Sequence, residues 1–277
     1  MRSVRNVFGG LLLLLVFAAV SWAGGSPLEV TFFAVGKADA VLIRQGGAVM
    51  LIDTATSEDA PYVVSRLREK GVERIDSLVI THMDKDHVGG AALVLASFPV
   101  GAVYQPNHRK ESRYYQSYTA AAAAACGIHP TVVREDMKVS LASLDITMHA
   151  PEEGAGMVPN DYSLMTSLIY GNVRLLFTGD ATPRRLLTFL SGKPSHYDFL
   201  KVPHHGMLNT KSRPFMKLLR EITPQYAVIT DSRRDDLRAK VSLLLEIYGV
   251  RRVLMTDNGD VELTTDGDSL ELHSRGL

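Results

Sequence analysis

From Pro27 onward the chain is built of short apolar runs whose period keeps changing. Glu29 to Val35, Ala40 to Arg44 and Ala48 to Ile52 are β-rich and separated by Gly-containing breaks. They predict three sequential antiparallel strands. Ala60 to Lys70 switches to helical spacing and is followed by Gly71, which predicts a helix with a glycine stop. Ser77 to Ile80 reads as a buried strand, and Gly90 to Ser97 as the helix beyond a polar loop.

The same alternation continues to the end of the chain. Glu111 to Cys126 predicts a helix, and Thr131 to Val133 and Leu144 to His149 predict strands. Leu164 to Tyr170 and Val173 to Phe177 flank Gly171-Asn172, the signature of a hairpin with a two-residue turn. Pro183 to Leu190, Pro214 to Glu221 and Leu237 to Tyr248 predict helices. Phe199 to Val202, Tyr226 to Thr230, Arg252 to Met255, Val261 to Thr264 and Ser269 to Leu272 predict strands. Both halves thus open with strands and pass into strand and helix alternation. That order predicts an α/β fold, an αββα sandwich of two mixed β-sheets with outer helices, as one domain over residues 27–277.

The first 23 residues follow a different pattern. Arg2 and Arg5 precede an apolar run from Leu11 to Val20, and Ser21-Trp22-Ala23 follows with small residues. This predicts a signal peptide over 1–23 and export to the periplasm or outside the cell. The run is short of the ~20 apolar residues of a bilayer span, so no stable membrane span is expected after cleavage, the alternative being an uncleaved N-terminal anchor.

Composition narrows the function. The chain has 277 residues, 46% of them hydrophobic, which is enough for a full core. Lys plus Arg and Asp plus Glu both number 30, so the overall charge gives no reason to expect a polyanionic partner. Cys126 is the single cysteine; it excludes an internal disulfide and a cysteine metal cluster, and reads as a small apolar residue closing an Ala-rich helix.

The chemistry is concentrated in Thr81-His82-Met83-Asp84-Lys85-Asp86-His87-Val88-Gly89-Gly90. Four potential ligands, His82, Asp84, Asp86 and His87, fall directly after an apolar strand. Helix capping would account for one aspartate and leave the others crowded without a counter-ion. A divalent cation removes that conflict, and imidazole with carboxylate suits zinc, manganese or iron. Gly89 and Gly90 are expected to let the chain turn sharply into the next helix.

This motif resembles the metallo-β-lactamase superfamily, whose first metal motif is H-x-H-x-D-H, and more closely the hydrolase-like domain of the ComEC competence proteins, which carries H-x-D-x-D-H. The resemblance extends over most of the chain. Phe33-Ala34-Val35-Gly36-Lys37-Ala38-Asp39-Ala40 is similar to the branch's D-V-G-Q-G-D-A, and Leu51-Ile52-Asp53-Thr54 to its L-I-D-T. It implies that Asp39 and Asp53 support the site, and that Asp180, ending Leu176-Phe177-Thr178-Gly179-Asp180, bridges two metals. Successive strand side chains point to opposite faces, so His204 and His205 are not both expected on one ion. Alignment with the superfamily's P-G-H-G ending puts His205 on the metal, leaving His204 as a supporting group or proton donor.

The implied ligand set is therefore His82, Asp84, Asp86, His87, Asp180 and His205. His82 and Asp84 would favour one ion, Asp86, His87 and His205 the other. The cofactors would be two divalent ions, Zn2+ or Mn2+. Asn160-Asp161-Tyr162-Ser163 stands where many members have a third-motif His, which implies that one ion is more labile. Lys37-Ala38 replaces Gln-Gly, Met207 stands where the branch has Ser, and N-x-Y-G-H-P is absent near Asp231 to Lys240.

The implied activity is hydrolysis of a phosphodiester, on DNA or a small molecule, by a metal-activated water that Asp86 orients, with His204 as proton donor. Asn160, Asp161 and Lys211 are expected to meet substrate. Arg109, Lys110, Arg113, Tyr114, Tyr115 and Tyr118 mix cations with aromatics, as single-strand binders do, although an ordinary solvated helix face accounts for the same residues. The alternatives are hydrolysis of a non-nucleic ester, such as a phosphocholine ester or lactone, and a non-catalytic, metal-stabilised module of a DNA-uptake or surface assembly.

Overall fold

The computed structural model describes residues 25–125, 127–207, 212–231 and 235–275. The expected signal segment, Cys126 and Lys211 lie outside the described residues.

Strand alternation sorts the apolar side chains into layers. In β1 (Leu28–Phe32), β2 (Val41–Gln45) and β3 (Ala48–Ile52), residues such as Val30, Ile43 and Met50 face a core between two sheets, whereas Leu42 and Leu51 face helices. Both faces are covered, so these strands are apolar on both. The first sheet continues through β4 (Ile75–Val79), β5 (Val100–Pro106) and β6 (Thr131–Val133), and closes with β14 (Val261–Thr265) and β15 (Leu270–Ser274). Its order is β15-β14-β1-β2-β3-β4-β5-β6.

The second sheet is built from β7 (Met137–Leu141), β8 (Leu144–His149), β9 (Met165–Tyr170), β10 (Val173–Phe177), β11 (Phe199–Lys201), β12 (Tyr226–Ile229) and β13 (Arg252–Met255). Its order runs β13-β12-β11-β10-β9-β8-β7. Phe32 meets Phe177 and Phe199 across the gap, with ring centroids 6.2 and 5.4 Å apart. The helices α1 (Ala60–Glu69), α3 (Ala91–Ser97) and α4 (Arg113–Ala124) cover the first sheet. The helices α5 (Pro183–Ser191), α6 (Arg213–Ile222) and α7 (Asp236–Ile247) cover the second. The αββα sandwich of two mixed sheets is the fold observed.

The strands β3, β4 and β5 run parallel to one another, as do β10, β11 and β12. Loops at the carboxyl ends of parallel strands gather on one edge, where open α/β sheets place their sites. The one-turn helix α2 (Lys85–Val88) lies in the first of these loops. Among the described residues no helix is long and apolar enough to cross a membrane.

Two glycines behave differently from expectation. Gly89 and Gly90 have φ of −58° and −85°, so neither needs left-handed freedom. They are small because space is short: a Cβ on Gly90 would stand 2.2 Å from the Thr54 carbonyl oxygen. The histidine pair also departs from expectation. His204 and His205 lie in a turn, Pro203–Gly206, with φ of 51° and 52°, so strand alternation does not govern where they point. Asp53 shares that left-handed conformation at φ 60°. Non-glycine residues adopt it at a cost, and clusters of such residues are found at functional sites.

Candidate metal centre

Five loops deliver the site. Thr81 to Gly90 follows β4, Asp53 follows β3, Asp180 follows β10, the Pro203–Gly206 turn follows β11, and Thr230 follows β12. Backbone hydrogen bonds lock the loops together. The Asp39 amide donates to the Asp86 carbonyl (3.0 Å), Thr54 to His87 (2.8 Å), and His204 to Gly179 (3.1 Å). The Ser163 loop joins them through Leu164 N–H to Thr81 O at 2.8 Å. Buried Arg185 holds that loop by donating to the Ser163 and His149 carbonyls at 2.9 and 2.7 Å.

Asp86, His87, Asp180 and His205 each offer one donor atom, all within 4.8 Å of one another and all buried. His87 Nε2 is 3.2 Å and His205 Nε2 3.3 Å from Asp180 Oδ1. None of these three atoms has a hydrogen bond of acceptable geometry. Buried polar atoms without partners are costly, and nitrogen and oxygen donors converging on one point suit a divalent cation.

The opposite nitrogens fix the rings. His87 Nδ1 lies 2.7 Å from Asp53 Oδ2, and His205 Nδ1 lies 2.9 Å from the Thr230 carbonyl. Asp53 is itself held by the Thr81 amide and hydroxyl at 2.8 and 2.7 Å. Asp39 is bonded by the buried Lys201 ammonium and the Thr230 hydroxyl. Such outer hydrogen bonds set the tautomer and aim of a ligating imidazole.

Charge follows the same geometry. Burial alone would raise Asp180, but His87 and His205 hold it well below the usual carboxylate range. Burial opposes a proton on His87, yet Asp180 and Asp53 hold it well above the usual imidazole value. Asp39, also raised by burial, is drawn down to about 2 by Lys201, His205 and His87. His82 is held well below its usual value by burial and then by His87.

The structure does not treat all the residues singled out in the sequence alike. His82 is buried, its ring centroid 4.0 Å from that of His87, with Nε2 unpartnered. Asp84 is not brought into the donor group. It stands at the N-cap position of α2 in extended conformation, makes no side-chain capping bond, and accepts a hydrogen bond from Lys110 Nζ at 2.7 Å. His205 enters the group, whereas His204 sits at its rim, Nε2 3.7 Å from Asp180 Oδ2 and 3.5 Å from Asn160 Nδ2. Asp161 is tied into its own loop, where it accepts from Val158 N–H at 3.0 Å and from the Thr182 hydroxyl.

The cation and aromatic patch is not a stacking platform. Tyr118 is buried and donates to Gln105 at 2.7 Å, Tyr114 and Tyr115 pack on the core beneath α4, and Arg113 lies over Tyr114. Lys37 went unassigned in the sequence but stands at the site, with Nζ 3.0 Å from Asp86 Oδ2. Thr230 gave no signal; a lysine inside the apolar run Phe199-Leu200-Lys201-Val202 was the available hint of Lys201.

The superfamily model described as Metallo-beta-lactamase superfamily matches residues 34–232, a span containing every donor described above. The chain belongs to the metallo-beta-lactamase superfamily. Its relatives include ComE operon protein 3 of Bacillus subtilis, 25% identical over 91% of this chain and 34% of that protein. Competence protein ComA of Neisseria gonorrhoeae is 28% identical over 72% of this chain and 26% of its own length. The chain thus spans about a third of these relatives or less. Among solved structures, the metallo-beta-lactamase fold protein YhfI of Bacillus subtilis superposes with a TM-score of 0.58 at 11% identity, covering 89% of this chain and all (100%) of that one. These structures share the fold.

One further cluster has the connectivity of a hydrolytic triad. His149 Nδ1 lies 2.9 Å from Asp136 Oδ2 and its Nε2 2.7 Å from Ser167 Oγ. The Ser167 hydroxyl is buried and also 2.6 Å from Tyr197 OH. A nucleophile must be open to substrate, and this hydroxyl is enclosed between two partners. The cluster joins β8, β9 and the segment before β11, beside a cavity of about 720 Å3 that the metal donors do not line.

Proposed function

We propose that this superfamily member is an exported metal-dependent hydrolase that cleaves a phosphodiester, in DNA or a related molecule. The observation that carries the reading is the convergence of His87 Nε2, His205 Nε2 and Asp180 Oδ1, buried and unpartnered, with Asp86 beside them. Divalent ions held there would activate water and offset charge on the attacked phosphoryl group. Asp86, the least enclosed of the four donors, orients the water. His204, at the rim beside Asp180, is the imidazole placed to give a proton to the leaving oxygen. Lys37 at the same mouth meets the substrate's negative charge.

The competence-protein relatives favour a nucleic-acid or related phosphodiester over other esters. A second reading has its own observation: a 65-residue stretch is 40% identical to a hydroxyacylglutathione hydrolase of Tolumonas auensis, over 24% of that enzyme. Purified protein should therefore be offered bis-nitrophenyl phosphate, single-stranded DNA, a lactone and a glutathione thioester. Cleavage of the phosphodiesters alone supports the main reading; cleavage confined to the thioester or lactone replaces it. Amino-terminal sequencing of the secreted fraction tests export, with cleavage expected after Ala23.

A further inference from the structure

We propose that Lys110 sets the affinity of a second ion: one ion is held tightly between Asp86, His87, Asp180 and His205, and another only weakly beside His82, because Lys110 keeps Asp84 out of the centre. The proposal rests on the metal-centre reading above and specifies how that centre is filled.

The two halves of the motif are built unequally. On one side four buried donors already converge, and the imidazoles are aimed by Asp53 and Thr230. On the other side His82 Nε2 stands buried and unpartnered near Asp180, whose Oδ2 lies 3.7 Å from His204 Nε2 at the rim. No histidine occupies the Asn160 to Ser163 loop. The carboxylate that could complete this position is Asp84, two residues from His82. Its side chain is instead bonded to Lys110 Nζ, with 27% and 33% of the two side chains exposed.

Lys110 opposes a second ion in two ways. It occupies an oxygen of Asp84 that an ion would need, and its ammonium repels any cation placed within a few ångströms of that oxygen. Lys110 enters from the segment just before α4, 26 residues along the chain, so this control is independent of the metal motif itself.

The test is titration of metal-free protein with Mn2+, following stoichiometry by equilibrium dialysis with elemental analysis and affinities by calorimetry. Wild type should take one ion tightly and a second at least roughly tenfold more weakly. Lys110→Met should tighten the second ion by about tenfold and leave the first unchanged, whereas Lys110→Arg should behave as wild type. Asp84→Asn added to Lys110→Met should abolish the gain. Far-ultraviolet circular dichroism checks that each variant folds.

Two equally tight ions in wild type, or a second ion indifferent to Lys110→Met, would overturn this proposal and leave the hydrolase reading standing. No bound ion at all would overturn both.

Discussion

His87 Nδ1 and Asp53 Oδ2 stand 2.7 Å apart, both side chains fully buried. The contact turns the other ring nitrogen toward Asp180. It makes Asp53 the residue through which the Leu51-Ile52-Asp53-Thr54 segment reaches the centre without touching it.

Asp53→Asn should keep the fold and weaken the tight ion by about 10- to 100-fold, the usual cost of losing the partner of a ligating histidine. Asp53→Ala should in addition cost ~1–3 kcal/mol of stability, because the buried Thr81 amide and hydroxyl lose their acceptor. Calorimetric titration and denaturant unfolding measure the two effects separately.

Ion binding should release a proton from His87. Its proton affinity in the ion-free protein lies well above the usual imidazole value, so near pH 7 an ion must displace that proton. Affinity should therefore fall as pH falls. Calorimetry in two buffers of different ionisation enthalpy should show about one proton released per tight ion, and Asp180→Asn should reduce that number.

The Asp136, His149, Ser167 and Tyr197 relay should prove structural. Ser167→Ala should retain hydrolysis of the preferred substrate while losing ~1–3 kcal/mol of stability, and a fluorophosphonate probe should not label Ser167. Burial lowers the His149 proton affinity, despite Asp136. A lowered folded value contributes stability that is present above about pH 6.5 and is lost as pH falls through the folded value. Thermal melts between pH 7 and pH 5 should show that loss in wild type, and His149→Gln should flatten it.

Gly90→Ala should destabilise the protein by roughly 1–3 kcal/mol, since the new methyl carbon meets the Thr54 carbonyl at 2.2 Å and Ala60 Cβ at 2.9 Å. Because Thr54 also holds the His87 carbonyl, ion affinity should fall with it. Gly154→Ala, which meets only the end of Arg184 at 3.6 Å, is the near-neutral control.

Most of the sandwich was legible because strands buried on both faces, such as β3 and β10, announce themselves as apolar runs. Two strands were not. In β5 the run is broken by Gly101 and ends in Pro106, and β7 is an edge strand whose Met137, Val139 and Leu141 pack on the core between exposed Lys138 and Ser140, an alternation confined to five residues. Within the centre, spacing exposed His82, Asp86 and His87 because they follow one strand end. Spacing also offered Asp84, and nothing local could show that Lys110 turns it away. The glycine pair was legible as a constraint but for a different reason, since crowding by Thr54 and Ala60 is a property of packing. The left-handed turn at His204 and His205 was hidden for the same reason: hydrogen bonds to Gly179 and Thr230 impose it.

Elemental analysis of the purified wild-type protein beside Asp180→Ala tests the central claim most directly. At least one divalent ion per wild-type chain, lost in Asp180→Ala while the circular dichroism spectrum is retained, is the expected result. Wild-type protein that takes up no ion, or Asp180→Ala protein that holds as much as wild type, would contradict it.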